Sequence, residues 1–292
     1  MKSDYLFFEG SVGTVDRTVA HIVRKKTPWP FTEHADAFAG FFASLLQRSG
    51  LCADHYCARA MTRRTAACLR KLGAATVEEG LQKIQNRPEL ADAALSTVLL
   101  GVTDFFRDRA VFDAVRFTVL PQLLEQHWRL RIWSAACSEG QELYSIAMLL
   151  AEEGRLKQCE LIGTDCRRDA IRQAQSGVFS SETVARLARH WRQNFFTEGP
   201  ISARLDPLLV QSAQWKTADL FRTVEPGPWH LILWRNMAIY LEPVAAENIW
   251  RRLYGELLPG GYVVAGKADH PPTGLPLTRV ATCIYRKPVV AP

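Results

Sequence analysis

The sequence predicts an α/β protein: a mostly parallel, doubly wound sheet with a small all-helical domain in front of it and a small β-rich insertion within it. Three observations predict this class. Apolar runs of strand length at 131–137, 159–165, 229–236 and 261–266 alternate with segments of helical period, and such alternation builds a parallel sheet flanked by helices. Residues 38–97 carry helical period and no strand-like run. Residues 189–218 interrupt the alternation and read as the insertion.

Taken in order, residues 1–37 have mixed polarity and a breaker at Thr27-Pro28-Trp29-Pro30, and they form an unassigned N-terminal extension. From Phe38 the stripe Phe38, Phe41, Phe42, Leu45, Leu46 has helical spacing and stops at Gly50. A second helix is expected over about 54–71, with Arg59, Arg63 and Arg70 within about 40° of one another on the helical wheel. Residues 45–75 hold Arg48, Arg59, Arg63, Arg64, Arg70 and Lys71 against Asp54 alone, so this domain is basic. Thr76-Val77-Glu78-Glu79 is a capping box that opens a third helix.

The sheet domain spans 98–292. Arg131–Cys137 is its first strand, followed by a Ser-Glu-Gly turn and a helix carrying Leu143, Ile146, Ala147, Leu150 and Ala151 on one face. Cys159–Asp165 is the second strand and 168–176 its helix. Trp229–Asn236 is a further buried strand, and Ala246, Ile249, Trp250, Leu253 and Leu257 mark the helix after it. Gly261–Gly266 and Thr278–Arg286 complete the strands.

Composition excludes several classes. With 292 residues, 48% of them hydrophobic and 23% charged, the chain is neither disordered nor short of core. No apolar run approaches the roughly 20 residues of a membrane span, and the N-terminus lacks the apolar stretch of a secretory signal. A cytoplasmic protein without membrane insertion is expected. Seven cysteines form no C-x-x-C pair and argue for reduced thiols. The seven histidines lack metal-ligand spacing, so no metal is expected. A net charge of +6 favours an anionic partner but is too diffuse to indicate nucleic acid.

In such sheets ligands bind at the carboxyl ends of the strands. The turn Ala136-Cys137-Ser138-Glu139-Gly140 has one glycine where a pyrophosphate loop has three, which disfavours NAD and FAD. Gly261-Tyr-Val-Val-Ala-Gly266-Lys267 fits a phosphate-loop pattern by chance: Ala268 follows instead of a hydroxyl residue, and the stretch reads as a strand. Asp165 ends the second strand, where an acid can accept both ribose hydroxyls of a nucleoside; a turn or N-cap aspartate is the equal alternative. A nucleoside without pyrophosphate, such as S-adenosylmethionine, fits both facts.

Four segments in order resemble chemotaxis-type protein-glutamate O-methyltransferases, the CheR family. They are Thr103-Asp-Phe-Phe-Arg-Asp108, Trp133-Ser-Ala-Ala-Cys-Ser-Glu-Gly-Gln-Glu-Leu-Tyr-Ser-Ile-Ala147, Gly163-Thr-Asp165 with Ala174-Gln-Ser-Gly177, and Arg235-Asn-Met-Ala-Ile-Tyr240. The resemblance implies a Rossmann-like class I methyltransferase fold and S-adenosylmethionine as cofactor. It implies cofactor contacts at Thr103, Arg107, Glu142, Asp165, Arg235 and Asn236, with Asp219-Leu220 in the place of an Asn-Leu pair near the adenine. Tyr240 matches a tyrosine near the transferable methyl, and Arg107 and Tyr240 are the expected catalytic positions. The basic helix with Arg59, Arg63 and Arg70 would dock the acidic helices of a chemoreceptor. Each residue also has an ordinary reading: Thr103 as a helix cap, Glu142 as a favourable charge in a first helical turn, Arg235 and Tyr240 as structural hydrogen-bonders.

Departures from the pattern surround the pocket: Gln141 for Glu, Leu143 for Pro, Trp234 for Cys, and Gly266-Lys-Ala-Asp269 for Gly-His-Ser-Glu. They keep two alternatives open, a methyltransferase of the same fold with another acceptor and a catalytically silent signalling module. Methylation of a glutamate needs no general base, because a carboxylate of pKa about 4.3 is ionised near pH 7. Orientation is the larger task, able to contribute about 7–11 kcal/mol.

Overall fold

The computed structural model describes residues 32–99 and 103–289. The extension expected over 1–37 lies outside the described residues up to 31, and the first helix, α1 (Thr32–Arg48), begins earlier than the Phe38 stripe. Phe41, Phe42, Leu45 and Leu46 are buried as their spacing requires.

The single helix expected over 54–71 is broken. A 3-10 turn (Ala53–His55) leads to α2 (Ala58–Thr62), and α3 (Thr65–Leu72) follows after Arg63 and Arg64. Two threonine hydroxyls accompany the break: Thr62 donates to the Arg59 carbonyl at 3.0 Å and Thr65 to the Thr62 carbonyl at 2.9 Å. Such back-bonding competes with helix propagation. Arg59, Arg63 and Arg70 are all exposed, but they do not share one helical face. The capping box is present at α4 (Val77–Asn86): Thr76 Oγ1 accepts from the Glu79 N–H at 3.2 Å, and the Glu79 carboxylate accepts from the Ala75 N–H at 2.8 Å. Helix α5 (Leu90–Val98) closes this region. Helices α6 (Arg109–Ala114) and α7 (Leu120–Gln126), joined by a π-helical turn, lead into the sheet.

The sheet begins with β1 (Arg131–Ala135), α8 (Gln141–Glu152), β2 (Glu160–Asp165) and α9 (Arg168–Ser176). A subsidiary unit follows, made of β3 (Val178–Ser180), α10 (Ser181–Ala185), α11 (Arg189–Phe195), β4 (Phe196–Glu198), β5 (Ser202–Leu205) and α12 (Pro207–Ser212). Its strands form an antiparallel sheet in the order β3-β5-β4. The chain returns through β6 (Ala213–Thr217), β7 (Trp229–Trp234), α13 (Pro243–Glu256), β8 (Leu257–Ala265), β9 (Thr278–Ala281) and β10 (Ile284–Arg286). The main sheet runs β6-β2-β1-β7-β8-β10-β9, with β6, β2, β1, β7 and β8 parallel and β10 antiparallel to both neighbours.

Two expectations are corrected. The insertion is displaced towards the N-terminus, spanning about 178–212, because 213–217 pairs in register with β2 as the edge of the main sheet. The last strand, expected as one over 278–286, is a hairpin that turns at Cys283, whose φ is +61°. The chance phosphate-loop match is strand from Gly261 to Ala265, within β8, as expected.

Period-two alternation sorts the central strands between two cores. Ile132, Leu161, Leu231, Leu233 and Val264 pack with α6, α7 and α8 through Val111, Leu123, Leu143 and Ile146. Trp133, Ala135, Ile162, Ile232, Trp234 and Val263 pack with α13 and with Phe41, Leu45 and Leu95 of the helical region. The protein is thus a mixed α/β fold with a helical region and a β-sheet insertion. From β1 the chain turns first to β2 and β6, and only later to β7 on the other side. This reversal opens a crevice at the carboxyl ends of β1, β2 and β7. Among the described residues no helix is long and apolar enough to cross a membrane.

Candidate functional site

The loop leaving β1 is shaped by three left-handed residues, Ala136 (φ +56°), Ser138 (φ +53°) and Gly140 (φ +88°), the last being the N-cap of α8. A left-handed Ala or Ser is uncommon and persists only where its surroundings over-determine it. Here the Cys137 N–H donates to the Thr164 carbonyl at 2.9 Å and the Ser138 N–H to Asp165 Oδ2 at 2.8 Å. Asp165 also accepts from Arg167: its backbone N–H at 2.9 Å and Nε at 3.0 Å reach Oδ1, and Nη2 reaches Oδ2 at 3.3 Å.

Asp165 lies on a narrow pocket together with Asp219, Leu220, Phe221, Trp234 and Met237. The helical region supplies another wall through Tyr56. Its segment is stitched to the loop after β7: Tyr56 bridges Leu241, the Cys57 N–H donates to the Tyr240 carbonyl at 2.8 Å, and the Glu242 N–H donates to the His55 carbonyl at 3.0 Å. The His55 ring stacks on Phe221 with centroids 3.9 Å apart. Asp219 accepts from the Phe221 N–H at 3.0 Å and so shapes the turn that presents Leu220 and Phe221.

A buried charge network lies beside this pocket. The Arg235 side chain is 1% exposed. It donates to Glu142, to Asp108 Oδ2 at 2.7 Å and to the Ala265 carbonyl at 3.3 Å. The other Asp108 oxygen pairs with Lys267 Nζ at 2.8 Å. Burial raises the Glu142 pKa, against the opposing charges of Arg235 and Arg107. Asp108 shifts the other way. Burial opposes ionisation there as well, but the Lys267 hydrogen bond and the charges of Arg235, Lys267 and Arg107 together hold its carboxyl below the ordinary aspartate value.

Asp269 is fully buried and holds the loop between β7 and Tyr240. Its carboxylate accepts from the N–H groups of Asn236, of Gly266 at 2.9 Å and of Ala238 at 2.8 Å. It stands where the family pattern has Glu, so the acid is retained with a shorter side chain. Burial raises its pKa, against those three backbone bonds. Tyr240 ends the 3-10 turn Ala238–Tyr240 that this loop forms and is half-buried.

The structure therefore brings Glu142, Arg235 and Arg107 into one electrostatic cluster, and Asp165, Asp219 and Leu220 onto one pocket. It leaves Arg59, Arg63 and Arg70 on the exterior. Thr103 does not cap a helix, since the residue preceding α6 is Asp108. Sequence reasoning missed Asp108 and the roles of Tyr56, Asp269 and Arg167. Asp108 and Asp269 fall within the motif segments, but the partner each holds, Arg235 or Asn236, lies in a different segment, and the Tyr56 wall and the Arg167 fork are visible only in three dimensions.

Among the described residues, the buried polar atoms without a hydrogen-bond partner include Thr103 Oγ1, Gln141 Oε1 and Asn236 Oδ1, and also Trp234 Nε1 and His55 Nδ1. Leaving such an atom unsatisfied costs about 1–3 kcal/mol, and a polar ligand in the crevice is one way to recover it. Thr103 and Asn236 are two of the positions expected to contact the cofactor, so the residues present fit a polar nucleoside ligand.

Residues 101–276 match the family model described as CheR methyltransferase, SAM binding domain. The chain is 28% identical over 231 residues to a chemotaxis protein methyltransferase of Listeria monocytogenes, covering 78% of this chain and 88% of that one. It is 30% identical to chemotaxis protein methyltransferase 1 of Pseudomonas aeruginosa, covering 68% of this chain and 76% of that one. To chemotaxis protein methyltransferase Cher2 of Pseudomonas putida it is 29% identical, with coverage of 68% and 76%.

Proposed function

The chain belongs to the CheR methyltransferase family, and we propose that it transfers a methyl group from S-adenosylmethionine to a glutamate carboxylate on an acidic, helical, chemoreceptor-type protein. What supports this reading is the family match over residues 101–276 together with the pocket at the β1–β2–β7 ends that Asp165, Asp219 and Leu220 line; the unpartnered Thr103 and Asn236 atoms stand at positions that the resemblance assigns to the cofactor. Thr103, Arg107, Glu142, Asp165, Asp219, Leu220, Arg235 and Asn236 are the residues that would hold S-adenosylmethionine. When bound, it supplies an electrophilic methyl group on a positively charged sulfur.

The protein's own task is positioning. The Glu142–Arg235–Asp108–Lys267 network fixes the Arg235 guanidinium from two sides, so that its charge and remaining donor capacity point in a set direction. The glutamate acceptor arrives ionised, so no side chain has to remove a proton. Asp269 anchors the loop that carries Tyr240, whose hydroxyl is assigned to orient the acceptor carboxylate by donating a hydrogen bond. Arg107 adds a second positive charge beside Glu142.

The test uses methyl-labelled S-adenosylmethionine with the full chain and a pair of acidic helical peptides that differ only by Glu or Gln at the acceptor position. Label should enter the Glu peptide alone and leave on mild base as methanol, the signature of a methyl ester. Tyr240→Phe should lower turnover while S-adenosylhomocysteine still binds. Base-stable label, or equal label in both peptides, would refute the glutamate assignment.

A further inference from the structure

An ionised carboxylate offers about four lone-pair directions, and at Asp165 four donors take them. Two are backbone N–H groups, those of Ser138 at 2.8 Å and Arg167 at 2.9 Å. They belong to the loop after β1 and to the turn into α9, so the fold itself places them. The other two come from one side chain: Arg167 Nε lies 3.0 Å from Oδ1 and Nη2 lies 3.3 Å from Oδ2. The guanidinium thus presents one donor to each oxygen. A vicinal ribose diol would present its two hydroxyls to the same carboxylate in the same one-to-each manner. The two cannot be accommodated together without exceeding the acceptor capacity of Asp165.

The pair is also enclosed. Arg167 is 8% and Asp165 5% exposed, so solvent screens their attraction far less than that of a surface ion pair. Asp165 and its neighbour Cys166 both line the pocket beside the pair. A bidentate, charge-assisted fork of this kind is among the stronger side-chain interactions.

We propose that Arg167 is an internal competitor for the ribose of the nucleoside ligand: binding requires its guanidinium to withdraw from Asp165, and this residue therefore sets the affinity of the site. The inference rests on the cofactor reading above. It differs from a purely structural role for the Arg167–Asp165 pair in the sign of one measurable quantity. Removing a structural tie loosens the β2–α9 turn and weakens ligand binding or leaves it unchanged. Removing a competitor frees two acceptor positions and strengthens it.

The experiment is calorimetric titration of S-adenosylhomocysteine, and of its 3′-deoxy analogue, into the full-length wild type and the variants Arg167→Ala and Arg167→Gln. The glutamine variant is shorter and uncharged but keeps a polar amide with an NH2 donor group, and it guards against a folding defect in the alanine variant; thermal unfolding is followed for both. S-adenosylhomocysteine should bind about 10- to 100-fold tighter to Arg167→Ala, the scale of one or two hydrogen bonds to a charged group, with Arg167→Gln between it and wild type. Loss of the 3′-hydroxyl should cost more affinity in the variants than in wild type, because only there is the acceptor free. Binding by the variants and not by wild type would support the competitor role equally. Wild type and folded variants that bind S-adenosylhomocysteine equally, or variants that bind it more weakly, would overturn the competitor role while leaving the cofactor reading intact. Failure of all three proteins to bind would overturn both.

Discussion

Two carboxylates share the Arg235 guanidinium, and their protonation equilibria are displaced in opposite directions. Glu142 is raised, with burial as the largest cause, and Asp108 is lowered because Lys267, Arg235 and Arg107 outweigh its burial. The linkage signs follow. A carboxyl whose folded pKa is lowered contributes stability that is present above its unfolded value and is lost as pH falls through the folded one. Asp108 therefore stabilises the protein above the ordinary aspartate value of 3.8 and ceases to do so below it. A carboxyl whose folded pKa is raised contributes stability below its unfolded value and loses it as pH rises through the folded one. The stability difference between wild type and Asp108→Asn should accordingly shrink as pH is taken from about 6 down through roughly 3.8, whereas the difference between wild type and Glu142→Gln should turn against wild type as pH rises out of the acid range. Chemical denaturation of the three proteins across that range measures both slopes. Parallel pH profiles for all three would show that Arg235 does not discriminate between its two partners.

At the scale of elements, the junction of β1, β2 and α8 is held by one large side chain from the edge strand. The Trp215 ring on β6 lies against Gly163 and Gly140, and a Cβ at Gly163 would collide with that ring and come within 3.1 Å of Cys137 Sγ. Gly163 has no left-handed φ, so its constraint is purely steric; Gly140 has φ +88° and carries a backbone constraint as well. Gly163→Ala should destabilise the protein by about 1–3 kcal/mol, the range for overpacking, and Trp215→Leu in the same chain should restore part of the loss. Gly140→Ala should be rescued less completely by Trp215→Leu, because removing the ring leaves the φ penalty and the 3.0 Å approach to Ala174 Cβ in place. Thermal or urea unfolding of wild type, the three single variants and the two double variants decides it, and equal rescue at both glycines would contradict the distinction. The same junction shows where sequence reading stops. Strands β1, β2 and β7 are legible because both faces are buried, which leaves continuous apolar runs such as Trp229–Trp234. Strand β6 reads as part of the insertion because it is an edge with a half-exposed pattern, and only its pairing with β2 reveals its place. The break between α2 and α3 escapes the periodicity because it coincides with threonine hydroxyls turning back onto the chain, a choice that helical spacing does not encode. Of the site, Glu142, Asp165 and Arg235 are reachable through their positions in motifs. Asp108 and Asp269 also lie in motif segments, but their roles are not legible there, since they act on Arg235 and Asn236, 127 and 33 residues away in the chain.

At the scale of the whole molecule, the helical region is not a loosely attached appendage. Its Phe41, Leu45 and Leu95 belong to the same continuous core as Trp133, Ile232 and Trp250, and its Tyr56 forms part of the pocket wall. Helix α2 packs against the Ala238–Tyr240 turn, so a partner bound along the helical region would lie close to the loop that carries Tyr240. The acidic acceptor proposed above would meet Arg63 and Arg70 there, both exposed. Because α2 and α3 are separate, these arginines form a diffuse basic surface in place of a single stripe, and their attraction should act through encounter more than through fixed contacts. The double reversal Arg63→Glu, Arg70→Glu should raise KM for an acidic helical Glu-containing peptide by about 3- to 30-fold at low ionic strength, the sum of a few exposed charge pairs. It should leave kcat within about twofold, since neither residue lines the pocket and rim charges act mainly on association. Raising the salt from about 0.01 M to 1 M shortens the screening length from roughly 30 Å to 3 Å, so wild type and variant should converge as salt increases. A KM independent of salt in wild type, or a reversal that lowers kcat and spares KM, would place the acceptor elsewhere on the molecule.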